Sequence, residues 1–261
     1  MPSDTATSTR LAIEPRTVVI TGAGQGLGRA FALRLAVEGL NVGVADIAED
    51  KAQKVAGEIA AAGGKAIAVG VDVSEDASVA AMVKQVVGRF GSLDVLVNNA
   101  AIFSTLKMRP FFEIPLDEWQ KVIDVNLTGV FLCARHAYEP MRQRGWGRII
   151  NISSGVVPVG RANYMHYVAS KAGVVGVTRA MARELGGFGI TVNAILPGAT
   201  QTEIPRDTVT PEQRKVFIAM QSLQRAQVPE DLSGVVSFLA SDDSRFMTGQ
   251  SLIVDGGMTF N

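Results

Sequence analysis

The segment that most constrains this chain is 21–28, TGAGQGLG, because of what flanks it. Before it runs 16–21 (RTVVIT), β-branched and apolar, which reads as a strand. After it runs 27–38, with apolar residues at helical spacing and Gly39 as a stop. Glycines at 22, 26 and 28 give G-x-x-x-G-x-G, and G-x-G-x-x-G cannot be fitted here. Between a strand and a helix, such glycines let the backbone turn tightly and approach a diphosphate, while the helix N-terminus offers free N–H groups and a positive dipole end.

The alternation continues along the chain. Strands are expected at 41–46, 66–73, 93–98, 147–153, 190–196 and 251–255. Helices are expected at 51–62, at 74–90 with Ser74 as N-cap, at 116–144 as one long or broken helix, at 164–185 and at 229–240. The strands are nearly continuous in apolar residues, so both their faces are buried between helices. That predicts an α/β fold: a Rossmann-type, doubly wound, seven-stranded parallel sheet with helices on both faces. A single domain over 15–261 is expected, after a disordered N-terminal tail at 1–14, with a loop-rich insert at about 202–223. Ligands of such sheets bind beyond the carboxyl ends of the strands, where strand order reverses.

Composition excludes several functions. Lys+Arg and Asp+Glu balance at 25 each, so no basic surface calls for nucleic acid or an anionic membrane. One cysteine, Cys133, and two histidines, His136 and His166, cannot assemble a Cys/His metal cluster, and no metal is expected. No apolar run has the length of a membrane span, and the polar N-terminus lacks a signal core. The sequons at Asn126 and Asn151 therefore carry no glycosylation meaning. A cytoplasmic protein is predicted.

Two further patterns point to chemistry. Tyr167 and Lys171 stand four apart, on one helix face. A phenol of ordinary pKa about 10 is a poor base at neutral pH, and a nearby ammonium favours its ionised form. Such a phenol can exchange a proton with a carbinol oxygen. Ser153 and Ser154, just after the fifth strand, are rivals for a hydroxyl that bonds the same oxygen. Asp46 ends the second strand, 18 residues beyond Gly28. A carboxylate there accepts from adenosine ribose hydroxyls and repels a 2′-phosphate. With Gln25 where a phosphate-binding cation could stand, this favours NAD(H) over NADP(H).

TGAGQGLG, Val97-Asn98-Asn99-Ala100-Ala101, Asn126, Ser154, Tyr167, Lys171 and Pro197-Gly198 together resemble the short-chain dehydrogenase/reductase family, over residues 15 to 257. Ala101 stands where the family usually has glycine. The resemblance implies an NAD-dependent oxidoreductase interconverting a secondary alcohol and a ketone. Its spacing selects Ser154 over Ser153 and makes Asn126, Ser154, Tyr167 and Lys171 the catalytic set, Asn126 distorting its helix and holding a water that links Lys171 to solvent. The cofactor would meet Gly22, Gln25, Gly26, Leu27, Gly28, Asp46, Ile47, Asp72, Val73, Asn98, Ala100, Tyr167, Lys171, Pro197, Gly198, Thr200 and Thr202. The substrate would meet Phe103, Ser154, Val156, Val157, Tyr164, Tyr167, Ala199 and Ile204, beneath a lid formed by the insert. These residues are mostly apolar, which suggests a hydrophobic, cyclic or aromatic alcohol or ketone. Arg161 and Arg206 read as solvated charges near the mouth, His166 as a plain helix residue and Cys133 as core. Family analogy suggests a homotetramer. The alternatives are a 3-oxoacyl-[acyl-carrier-protein] reductase, a sugar or polyol dehydrogenase, and a non-catalytic nucleotide-binding protein.

Overall fold

In β1 (Thr17–Thr21) successive side chains point to opposite sides of the sheet, and every one is buried. Val18 and Ile20 face one core and Val19 the other. The same division runs through the computed structural model, which describes residues 15–205 and 210–260. The expected tail at 1–14 and Arg206 lie outside the described residues.

The elements follow as α1 (Gly26–Val37), β2 (Asn41–Asp46), α2 (Glu49–Ala61), β3 (Ala66–Gly70), α3 (Asp76–Phe90), β4 (Val95–Asn98), α4 (Leu116–Ile123), α5 (Gly129–Arg144), β5 (Gly147–Ile152), the single turn α6 (Val156–Val159), α7 (Met165–Leu185), β6 (Ile190–Pro197), α8 (Pro211–Ala219), α9 (Glu230–Ala240) and β7 (Ser251–Val254). The sheet order is β3-β2-β1-β4-β5-β6-β7, with every pairing parallel. This is the predicted single doubly wound domain, and strand order reverses between β1 and β4.

One core packs Phe31 and Leu35 of α1, Ile59 of α2 and Leu232 and Val236 of α9 against β1, β2 and β4. The other packs Met82 and Val86 of α3, Leu132 and Met141 of α5 and Ala182 of α7 against the opposite face. Each fully buried Val, Leu, Ile, Phe or Met contributes roughly 1.5–3 kcal/mol of transfer free energy. Cys133 lies in the second core, where burial pushes its thiol up to about 12. Among the described residues no helix is long and apolar enough to cross a membrane.

Two local expectations change, and a third is decided between its alternatives. β3 ends at Gly70 rather than 73. Ser74 does not cap α3: its N–H and hydroxyl both donate to Asp72 Oδ1, at 2.9 and 2.6 Å, and the residue before the helix is Glu75. The carboxylate two residues back outcompetes the helix for the serine. The 116–144 helix is broken by a π turn over Asp124–Thr128, where Gly129 N–H donates to Asp124 O. Within the insert, Thr210 and Gln213 form a reciprocal capping box with Pro at the first turn, and nucleate α8.

Candidate active site

Beyond the carboxyl ends of β1, β4, β5 and β6 lies a cavity of about 1350 Å³. Its floor at the switch point is the glycine loop. Gly22 has φ +63°, and a Cβ there would stand 2.8 Å from Ala100 Cα. A Cβ on Gly28 would stand 2.2 Å from Gly22 O, so only glycine lets α1 start this close to the β1 turn. The first N–H of α1, on Gly26, points at an anion: it donates to Glu203 Oε1 at 2.8 Å. Burial pushes the Glu203 carboxyl up, but the bond from Gly26 and the nearby Arg29 outweigh it and hold it below the ordinary range. The chain's own carboxylate thus stands in for a phosphate at the helix N-terminus.

At the far side of this loop Asp46 ends β2. Its Oδ2 accepts from Gly24 N–H at 2.8 Å and its Oδ1 from Ala48 N–H at 2.9 Å. Each oxygen keeps a second lone pair for a ligand hydroxyl. Gln25 lines the cavity and accepts from Lys51 Nζ at 2.8 Å. Asp72 and Val73 close this end.

The opposite end is built by β5 and α7. Ser153 continues the β5 ladder, is 2% exposed, and donates its hydroxyl to Lys171 O at 2.8 Å. Ser154, one residue on, accepts from Val156 N–H at 3.3 Å and keeps its hydrogen to donate into the cavity. The geometry therefore separates the two serines. Tyr167 and Lys171 share the α7 face that lines the cavity. Lys171 Nζ lies 5.8 Å from the Tyr167 ring centre and donates to Ile152 O at 2.8 Å. At 3% exposure, burial lowers the Lys171 pKa from 10.5 to about 8. The Tyr167 ring stacks on Phe103, centroids 4.6 Å apart.

Asn126 lies in the π turn, fully buried. Its Oδ1 accepts from Ile102 N–H at 2.7 Å, and its Nδ2 donates to Ile102 O and to Ser170 Oγ, both at 3.2 Å. It ties the post-β4 loop to α7 one residue before Lys171.

Most of the expected residues meet at this one cavity: Gly22, Gln25, Leu27, Asp46, Ile47, Asp72, Val73, Ala100, Phe103, Ser154, Val156, Tyr167, Lys171, Pro197, Gly198, Ala199, Thr200, Thr202 and Ile204 all line it. Asn98 does not. As the last residue of β4 it points beneath the floor, its Nδ2 donating to Asn151 Oδ1 at 2.8 Å, and Asn99 lines the cavity in its place. Gly26, Gly28 and Val157 are not among its lining residues, and neither is Tyr164. It is 1% exposed in a small cluster with Leu106, Val122 and Tyr167. Thr200 reaches the wall, yet its hydroxyl donates to Gln227 Oε1 at 2.9 Å. His166 is fully buried, with Nε2 3.2 Å from Glu118 Oε1, facing away from the cavity. Arg161 is a half-buried wall residue whose guanidinium still meets solvent. Glu203, Phe217 and Met258 were not anticipated. A carboxylate next to Thr202 was the available signal for the first; the others depend on how α8 and the C-terminal segment fold over.

The geometry of a glycine-turned anion site and a Ser-Tyr-Lys set on one cavity agrees with comparison to known proteins. A family described as enoyl-(acyl carrier protein) reductase matches residues 22–259. The chain belongs to the short-chain dehydrogenase/reductase family. It is 43% identical over 245 residues to the 3-oxoacyl-[acyl-carrier-protein] reductase FabG of Staphylococcus aureus, covering 93% of this chain and 98% of that one. A short-chain dehydrogenase/reductase from Mycobacterium marinum superposes with TM-score 0.85 at 38% identity, covering 94% and 96% of the two chains. Levodione reductase superposes with TM-score 0.86 at 34% identity, covering 92% and 96%. The chain is thus an oxidoreductase of this family.

Proposed function

We propose that this member of the family interconverts a secondary alcohol and a ketone with NAD(H), Tyr167 acting as general acid/base. The observation that carries the reading is the convergence of Ser154, Tyr167 and Lys171 on the cavity that Gly22, Gln25 and Leu27 of the glycine loop also line. A nicotinamide dinucleotide fits that loop: the glycines leave no room for Cβ atoms, and the α1 N-terminus already takes a carboxylate. When bound, the cofactor supplies or accepts the hydride at the carbinol carbon.

The protein's work is at the oxygen. The Tyr167 hydroxyl gives its proton to the ketone oxygen in reduction and takes it back in oxidation. The Ser154 hydroxyl donates to the same oxygen, stabilising the charge that develops there. Lys171, fixed by Ile152 O one helical turn from Tyr167, presents a cation that favours the phenolate. Asn126 holds the π turn against α7, and since its side-chain groups are bound to Ile102 and Ser170, a water serving Lys171 would lean on backbone carbonyls. Pro197, Gly198 and Thr202 bound the carboxamide end, and Asp46 takes the adenosine ribose, favouring NAD(H). The described parts of the insert, 202–205 and 210–223, would cover the substrate as a lid. Phe103, Val156, Ala199 and Ile204 suit an apolar substrate, in keeping with the likeness to levodione reductase.

A second reading is reduction of a 3-oxoacyl thioester, favoured by the 43% identity to FabG. It uses the same residues on the same functional group and differs in what the ketone carries. The deciding experiment is Tyr167→Phe, assayed with a panel of secondary alcohols and 3-oxoacyl thioesters. Turnover should be lost while NADH binding, read by fluorescence, persists. Normal turnover in that variant would remove the acid/base assignment.

A further inference from the structure

Arg161 follows α6 and forms part of the cavity wall. It is half-buried, and among the described residues no carboxylate lies within ion-pair distance of it. What surrounds the guanidinium is aromatic. Its Cζ lies 4.9 Å from the Tyr164 ring centre and 5.5 Å from the ring of Phe217 on α8. Among the described residues its one polar side-chain contact is Nη2 to Met108 Sδ at 3.9 Å. Ring faces attract a cation, but they accept few hydrogen bonds, and a guanidinium has five N–H donors. The guanidinium still reaches solvent at the cavity mouth, so its donors are free for an incoming anion.

The charges around it sharpen the point. Arg214 of α8 lines the same cavity. Of the carboxylates there, Asp46, Asp72 and Asp255 accept from nearby backbone N–H groups. Glu118 faces Arg109 and His166, and Asp124 accepts from Gln120. These five acids have partners within the protein; among the described residues Asp117 and Lys121 of α4, Arg161 and Arg214 line the cavity without an ion-pair partner or a side-chain bond to the backbone, so three of these four unpartnered charges are cations.

We propose that Arg161, assisted by Arg214, binds an anionic group, carboxylate or phosphate, carried by the substrate away from its reacting carbon. This rests on the keto–alcohol reading above and names the substrate class for it. A planar guanidinium held between two rings is pre-oriented for two parallel N–H···O bonds to such an oxyanion. One source is a free oxo acid. The other is the phosphate of a phosphopantetheine-type thioester.

The test uses two matched ketone pairs with NADH. One pair is 4-oxopentanoate and its methyl ester. The other is 3-oxobutanoyl-CoA and the neutral 3-oxobutanoyl-N-acetylcysteamine thioester. Arg161→Met keeps apolar packing between the rings and removes charge and donors, while Arg161→Lys keeps the charge. The wild type should prefer the anionic member of at least one pair. In Arg161→Met the kcat/KM ratio of anionic over neutral member should fall about 10- to 100-fold, with partial recovery in Arg161→Lys. The pair that responds identifies the source. An unchanged ratio, with both members losing equally, would make Arg161 a latch for α8 and overturn the proposal. So would absence of any preference in the wild type. Should the wild type reduce none of the four, the alcohol panel with Tyr167→Phe decides the keto–alcohol reading separately, and the anion site is tested by binding. The same compounds are then titrated calorimetrically into the NADH complex. Anion-selective binding that Arg161→Met abolishes would uphold the anion site, and unselective binding would overturn it.

Discussion

Replacing Lys171 by Met separates the cost of burying an ammonium from its use. Burial brings the Lys171 pKa down from 10.5 to about 8. Below pH 8 the lysine is protonated in both native and unfolded chains, so its contribution to stability does not change with pH there. Between about 8 and 10.5 the unfolded chain binds more proton than the native one, so native stability rises with pH. At pH 9.5, one and a half units above 8, the gain is about 2 kcal/mol at 1.36 kcal/mol per unit. Lys171→Met cannot show it. At pH 7 the variant escapes the buried charge but leaves Ile152 O without its ammonium donor, 2.8 Å away in the wild type, and these effects oppose each other. The informative quantity is a difference of differences, in which other titrating groups cancel. Urea unfolding of both proteins, followed by tryptophan fluorescence at pH 7.0 and 9.5, should show the wild type gaining about 2 kcal/mol on the variant. The variant should lack turnover at both pH values, because no cation then stands beside Tyr167. A pH-independent difference in stability would refute the claim that the ammonium is held against its desolvation. Full turnover by Lys171→Met would refute its use.

Two further outcomes follow from the cofactor end. Asp46→Asn removes the charge that repels a 2′-phosphate while keeping an acceptor for Gly24 or Ala48, and should shift the kcat/KM preference toward NADP(H) by about tenfold or more, roughly the 1.4 kcal/mol of one decade; equal use of both cofactors by the wild type would contradict the assignment. Glu203→Ala vacates the Gly26 N–H that a diphosphate must reach, so NADH should bind about fivefold tighter by fluorescence titration, the equivalent of one hydrogen bond of about 1 kcal/mol; weaker binding would show that Glu203 assists the cofactor rather than competing with it.

What the sequence made legible follows from how locally each feature is determined. The strands could be read because burial on both faces demands apolar residues at every position, as in Val18, Val19 and Ile20. The glycine loop could be read because Gly22 and Gly28 are required by backbone contacts within a few residues of themselves or just across β4. The capping box of α8 was equally local, Thr210 and Gln213 in reciprocal bonds, and was there to be read within a stretch taken as loop. Ser74 was misassigned because two local bonds competed, and the 2.6 Å bond to Asp72 prevailed over the helix terminus.

The remaining differences depend on long-range placement. Asn98 ends β4 and Asn99 follows it, and only the Asn98–Asn151 pairing fixes which asparagine goes under the floor. Tyr164 and Tyr167 are three apart on one chain segment and share a cluster with Leu106 and Val122, which come from other elements, yet of the two tyrosines only Tyr167 lines the cavity. Arg161 is the sharpest instance. By composition an arginine near a loop belongs in water, and nothing within six residues argues otherwise. Its two rings come from Tyr164 nearby and from Phe217, 56 positions away on a helix that folds back over the cavity. The catalytic set is legible because proton transfer needs fixed residue types at fixed helical spacing. Specificity is not, because the wall that meets the rest of the substrate is assembled from α6, α8 and the post-β4 loop, whose mutual positions no local pattern encodes.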